Sequence, residues 1–222
     1  MVSRAGNDQI SYTLTGKLMA VQTVLIYLGS GTDQFVANVD GAVDNPAGLD
    51  IEAYAGTGTD TMTINQSGQI MQGTFIPFFS AGPGRDTMTY NGTGPINGGA
   101  MINPAFAGGG GNDTIVSNYS GTIDGHFIYN MTVHGGRGSA NITDNIHVGP
   151  GSVGRIGTSP TTPALIKSGT GRNTIHYAIT LDPTANAAQV YAEVMGHRGD
   201  TIERTANVVD GSSGSRVRVI DS

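Results

Sequence analysis

Gly56-Thr57-Gly58-Thr59-Asp60-Thr61-Met62 recurs almost unchanged 26 residues later as Gly82-Pro83-Gly84-Arg85-Asp86-Thr87-Met88. Two further copies flank this pair, Gly29-Ser30-Gly31-Thr32-Asp33 before it and Gly109-Gly110-Gly111-Asn112-Asp113 after it. Later copies lose the acid: Gly136-Arg137-Gly138-Ser139-Ala140 and Gly169-Thr170-Gly171-Arg172-Asn173 keep only the glycines. Gly196-His197-Arg198-Gly199-Asp200 is degenerate, and the copy at Gly6-Asn7-Asp8 has Arg4 in place of its leading glycine. The anchors at 8, 33, 60, 86, 113, 140, 173 and 200 are separated by 25, 27, 26, 27, 27, 33 and 27 residues. An internal repeat of this regularity outranks any local reading of the chain.

The columns between anchors say what the repeat builds. Two residues after each anchor stand Ile10, Phe35, Met62, Met88, Ile115, Ile142, Ile175 and Ile202, all apolar. Five residues after anchors two to six stand Asn38, Asn65, Asn91, Asn118 and Asn145. Eight residues after the first five stand Gly16, Gly41, Gly68, Gly94 and Gly121. Three residues before each leading glycine come Ile26, Ala53, Phe79, Phe106, Val133, Ile166 and Glu193, apolar except the last. The segments between glycines are short, rich in Thr, Ile, Val, Tyr and Phe, and partly alternating, so they read as strands. A period near 27 suits neither a propeller blade nor a helical repeat. The expectation is an all-β, single-domain parallel β-solenoid over residues 1–222, with about eight coils of roughly 27 residues and the right-handed crossover usual for parallel strands. Stacking at about 4.8 Å sets each column against itself, so the apolar column becomes an inner stripe and the Asn column an amide ladder. The glycines would turn the corners. A β-sandwich with glycine-rich hairpins is the alternative, but it has no reason to keep matching columns.

Composition narrows the function classes. There are 35 glycines, no cysteines, and only 13% charged residues. Without cysteine there is no disulfide framework and no thiolate metal site. A net charge of −6 argues against a nucleic-acid surface. Leu18 to Leu28 is apolar but too short to span a membrane, and it lacks the order of a signal peptide.

Gly108-Gly109-Gly110-Gly111-Asn112-Asp113-Thr114-Ile115-Val116 fits Gly-Gly-x-Gly-x-Asp-x-apolar-x throughout. That nonapeptide resembles the calcium-binding repeat of the RTX (repeat-in-toxin) family, whose parallel β-rolls hold calcium between stacked loops. The resemblance covers about seven residues per coil. It implies calcium as cofactor and, matched residue to residue, Asp33, Asp60, Asp86 and Asp113 as ligands through hard carboxylate oxygens. The row would stop at Ala140. The competing reading is a structural turn whose Asp accepts backbone N–H bonds.

Other patterns carry less. Thr61, Thr87, Thr114, Thr174 and Thr201 with Thr63, Thr89 and Thr143 form Thr-x-Thr rows of the kind seen in ice-binding proteins, broken by Val36, Val116, His176 and Glu203. Six N-x-Ser/Thr sequons occur, at Asn65, Asn91, Asn112, Asn118, Asn130 and Asn141. For Asn65, Asn91 and Asn118 a buried ladder and glycosylation exclude each other, and the ladder is favoured. His126, His134, His147, His176 and His197 share no repeat position, and no nucleophile elbow or His-Glu-x-x-His is present. Arg85, Arg137 and Arg172 with Asp86 are the only hint of a polysaccharide-processing face, so the chain is read as a non-enzyme. The longer coil points to an inserted contact loop at about 149–163.

No cap is legible at either end, and Ser222 stops where another leading glycine would fall due at 223. Strand-like Arg216-Val217-Arg218-Val219-Ile220 would pair with a second copy's first coil, and such a heterologous contact builds a filament. A chain cut between repeats would look the same. The sequence is therefore expected to encode an extracellular or cell-surface structural subunit that stacks on itself. A calcium-dependent adhesin or carbohydrate-binding module is the alternative.

Overall fold

The computed structural model describes residues 1–222 except 3, 125–127, 130, 158–162, 186–187, 207–215 and 222, with backbone alone at 128–129, 206 and 216–221. Each segment after an anchor alternates apolar and polar residues, and each becomes one strand of an eight-stranded parallel front sheet. Its strands are Gln9–Leu14, Gln34–Val39, Thr61–Gln66, Thr87–Gly92, Thr114–Gly121, Asn141–Val148, Thr174–Leu181 and Thr201–Ala206. They pair in sequence order and in the register of the repeat, with Phe35 opposite Met62 and Met88 opposite Ile115. The chain is a parallel β-solenoid.

The return path of each coil makes a back sheet, beginning with Gln22–Tyr27, Gly48–Tyr54 and Thr74–Ser80. In the fourth to sixth coils this path is split into two pieces, first Met101–Ile102 and Ala105–Ala107, and in the seventh it is again one strand, Gln189–Gly196. Pro104 lies in the gap, and register places Pro77 of the preceding coil opposite it. Two residues without an N–H therefore face each other where the ladder between these two coils is interrupted. Small parallel sheets form two corners, Ser30–Gly31 with Thr57–Gly58, Pro83–Gly84 and Gly110–Gly111 at one, and Val43–Asp44 with Ile70–Met71 and Ile96–Asn97 at the other.

The inward columns make the core. Phe35, Met62, Met88, Ile115, Ile142 and Ile175 are fully buried, while Ile10 and Ile202 at the two ends of the front sheet are half-buried. Volume is shared between neighbouring coils. The rings of Tyr90 and Tyr119 occupy the space that a side chain on Gly92 would need. Tyr90 Oη donates to Gln66 Oε1 at 3.1 Å, which satisfies a buried hydroxyl. At the other end of the front strands the glycine column is needed for close approach. A Cβ on Gly68 would lie 2.0 Å from the Gly41 carbonyl oxygen.

Two expectations about the later coils need correction. The apolar back-sheet column ends on Val194, which pairs with Ile166, whereas Glu193 pairs with Leu165 and is half-exposed. The degenerate loop is one residue shorter, closing through a turn in which Asp200 N donates to His197 O. The insertion is narrower than 149–163. Arg155–Ile156 keeps normal register with Ile128–Tyr129, and Ile166 pairs with Val133, so the six extra residues fall between Ile156 and Ile166. Most of them, 158–162, lie outside the described residues. Arg216–Asp221 pairs with Gln189–Gly196 as the last strand of the back sheet, and no described strand of the chain pairs with its other edge.

The Asn column is a ladder, but it runs on the outer face of the front sheet and is half-buried to exposed. Nδ2 of Asn65, Asn91, Asn118 and Asn145 each donates to Oδ1 of the Asn one coil earlier, at 2.9, 3.0, 3.0 and 3.1 Å. The amides of Asn65, Asn91 and Asn118 are thus engaged, whereas Asn112 and Asn141 are exposed sequons. Asn91→Ala removes two ladder bonds, with an expected loss of about 1–2 kcal/mol of stability, read as a lowered denaturant midpoint. An unchanged midpoint would mean that the ladder contributes nothing.

Candidate functional site

The Gly-x-Gly-x-Asp corner gathers the sequence's chemical signals. Its backbone is set by the second glycine. Gly31, Gly58 and Gly111 have φ of 145°, 143° and 128°, and a Cβ on any of them would fall within 1.8 Å of a carbonyl oxygen of the coil before. This close stacking delivers the anchor side chain inward, under the corner.

Asp33, Asp60, Asp86 and Asp113 are stacked in one column, each at most 2% exposed. Their two oxygens have different fates. Oδ1 accepts the backbone N–H of the anchor one coil earlier: Asp8 to Asp33 at 2.8 Å, Asp33 to Asp60 at 2.8 Å, Asp60 to Asp86 at 2.8 Å and Asp86 to Asp113 at 3.0 Å. The structural-turn reading is therefore correct for this oxygen. Oδ2 of all four is buried and has no hydrogen-bond partner.

Asn173 shows what surrounds the second oxygen. Its Oδ1 accepts Ala140 N at 2.8 Å, as the carboxylates do. Its Nδ2 then takes the place of Oδ2, and it donates to Gly169 O at 3.2 Å and Gly171 O at 2.9 Å, carbonyls of its own loop, and to Asp200 Oδ1 at 3.0 Å. An amide fits among carbonyls because it donates. A carboxylate oxygen in the equivalent place needs a proton or a cation beside it. Burial pushes the carboxyls of Asp60, Asp86 and Asp113 up, against the N–H bonds that pull them down, and Asp86 reaches about 7. The donor set of one carboxylate oxygen plus main-chain carbonyls suits a hard cation. Among the described residues, no three His, Cys, Asp or Glu side chains converge on one point. A cation here would therefore lean on the carbonyls.

Ala140 interrupts the column. It offers no acceptor to Asp113 N, the bond that the other coils make. Ala140→Asn copies the Asn173 arrangement and is expected to add about 1 kcal/mol of stability. A lowered melting temperature would show that the site cannot house the amide.

The three arginines sit above this column. Arg85 and Arg172 border one shallow groove of about 360 Å³, lined also by Asn112, Asp113, Thr114, Asn141 and Thr174. Arg137 is bridged to Gly110 in the same corner. Of the histidines, His176 pairs with Glu203 at 2.8 Å, and His126 lies outside the described residues.

One chemically distinctive residue was not singled out beforehand. Asp144 is fully buried inside the solenoid, in register with Ser117 before it and Tyr177 after it. Burial pushes its carboxyl up to about 8, partly opposed by the Ser117 hydroxyl. The signal was available, since Asp144 alternates with the inward Ile142 and Ile146. No described helix is long and apolar enough to cross a membrane. Compared with family models, curated proteins and solved structures, the chain matches none of them.

Proposed function

We propose that the protein is a structural rod of the extracellular space that lengthens by head-to-tail stacking of copies. The observation that carries this is the face formed by the first coil. Ile10, Tyr12 and Leu14 point along columns that are buried in the middle coils, yet here they are only half-covered. Met19 and Val21 beside them are 55% and 76% exposed. The other end offers two of the front-sheet columns, where Ile202 and Thr205 occupy the positions of Ile10 and Thr13, while Arg204 stands in that of Tyr12. Stacking the two would continue both the apolar column and the strand pairing. Negative-stain microscopy across a concentration series tests this. Filaments whose length grows with concentration are expected, and uniform rods of one-copy length at every concentration would dismiss the reading.

The free Oδ2 row supports a second property, calcium held in the corners as in the RTX-like repeats that these loops resemble. Asp33, Asp60, Asp86 and Asp113 would each supply one oxygen, with loop carbonyls completing the set. Calcium would then neutralise a row of closely spaced carboxylates and stabilise the folded state by mass action. The expected result is a rise in melting temperature of several degrees with millimolar calcium at pH 8, reduced in Asp86→Asn. Asp86→Asn should itself fold at least as well as the parent without calcium, because its amide meets the loop carbonyls directly. Equal melting temperatures with calcium and with chelator would remove calcium from the account.

A further inference from the structure

The groove between Arg85 and Arg172 lies over the end of the carboxylate column, with the buried Asp113 in its lining, and has no part in stacking. Its two walls are the outward residues on either side of the buried anchors. Asn112 stands on one wall, and Thr114, Asn141 and Thr174 stand on the other, with the buried Asp113 and Ala140 between them, so the solvent-facing lining between the arginines is rich in hydroxyl and amide groups. Arg85 and Arg172 are both exposed. Among the described residues the ion pairs are Lys17–Asp44 and His176–Glu203, so neither arginine is neutralised by an acid. Arg137 adds a third exposed cation to the same corner. This is a concentrated positive edge on a chain whose net charge is −6.

The spacing selects the ligand. Arg85 and Arg172 precede anchors 86 and 173, three coils apart. At the parallel-sheet spacing that is about 14 Å. A single small anion cannot engage both. An extended chain carrying anionic groups at intervals can, with its uncharged portions resting on Thr and Asn. Ala140 lies buried under the middle of the groove. The lining contains no aromatic residue, and single-stranded nucleic acid is gripped largely by stacking on aromatic rings. Sugar hydroxyls, by contrast, match a floor of hydroxyls and amides, and guanidinium forks match carboxylate or sulfate groups.

We infer that the groove from Arg85 to Arg172 binds an acidic oligosaccharide laid along the rod, its anionic groups held by the two arginines and its hydroxyls by the Thr and Asn floor. The ionic group, uronate carboxylate or sulfate ester, is chemistry that the same forks accept.

Calorimetric titration of the whole chain tests this with four probes at fixed ionic strength: a galacturonate tetrasaccharide, a sulfated heparin-type tetrasaccharide, neutral maltotetraose and an octathymidylate strand. At least one acidic sugar should bind while maltotetraose gives no heat. Arg85→Ala and Arg172→Ala should each weaken that binding by about tenfold, and the double variant by about a hundredfold. The stronger of the two acidic probes identifies the ionic group. Both arginines are exposed, so an unchanged melting curve certifies that each variant folds. Absence of binding to both acidic sugars overturns the inference, as does binding that survives the double variant. Octathymidylate binding with equal affinity and equal arginine dependence would assign the groove to polyanions without regard to sugar, and overturns it too.

Discussion

Gly111→Ala is expected to abolish cooperative folding, whereas Gly110→Ala beside it should be nearly silent. At Gly111 the backbone has φ of 128°, and a Cβ would sit 1.5 Å from the carbonyl oxygen of Gly84 and 2.7 Å from its carbon. Both atoms are backbone in the adjoining coil, so relief requires prising two coils apart at the corner. That would also stretch the bond from Asp86 N to Asp113 Oδ1. Such a substitution belongs with the exceptional losses above ~4–5 kcal/mol, a large share of a typical total of about 5–15 kcal/mol. At Gly110 a Cβ would meet nothing nearer than the Arg137 carbonyl oxygen at 4.0 Å. The expected change there is within about 0.5 kcal/mol. Circular dichroism melts of the two variants check the contrast. Two equal melts would mean that the corner stacking does not hold the coils together.

Stability is expected to fall as pH rises from about 4 to 8, with Asp144 as the largest single source. An acid whose folded pKa is raised binds more protons folded than unfolded between its two pKa values, so stability declines through that window. Asp144 titrates near 3.8 in the unfolded chain and near 8 in the core. The difference corresponds to about 6 kcal/mol, fully present below pH 4 and lost as pH passes 8. The raised carboxyls of Asp60, Asp86 and Asp113 push the same way. Asp144→Asn keeps the shape and removes the ionisation. It should melt at about the same temperature from pH 5 to 9 apart from the corner's contribution, and exceed the parent above pH 8. A variant whose pH profile overlays the parent's would show that Asp144 is not what titrates.

Most of the architecture could be read from the columns. Phe35, Met62 and Met88 lie where the repeat put them because a parallel stack has only one register that keeps every apolar side chain inside. What was misread depended on single-residue changes in loop length. Aligning on Gly196 put Glu193 in the core, yet the hydrophobic cost of that register exceeds the cost of a tighter turn at His197–Asp200, so Val194 took the place. The Asn ladder was foreseen as a ladder but placed indoors, although Asn91 shares its parity with the outward Thr87 and Thr89. The corner was legible as far as its residues. Its division of labour between Oδ1 and Oδ2 was not, because that depends on which N–H the stacking brings within reach.

The anchor bonds also bear on how the chain finds its fold. Each joins residues 25, 26, 27 or 33 apart and no farther, and each N–H waits for a carboxyl or amide supplied by the coil made next. A ribosome therefore releases the donors before their acceptors. Once the opening coils have met, every later one closes a loop of unchanging length onto a finished template, so the entropic cost of each addition stays constant along the chain. Folding time should then grow with the number of coils rather than steeply with overall size, as for a zipper closing from one end.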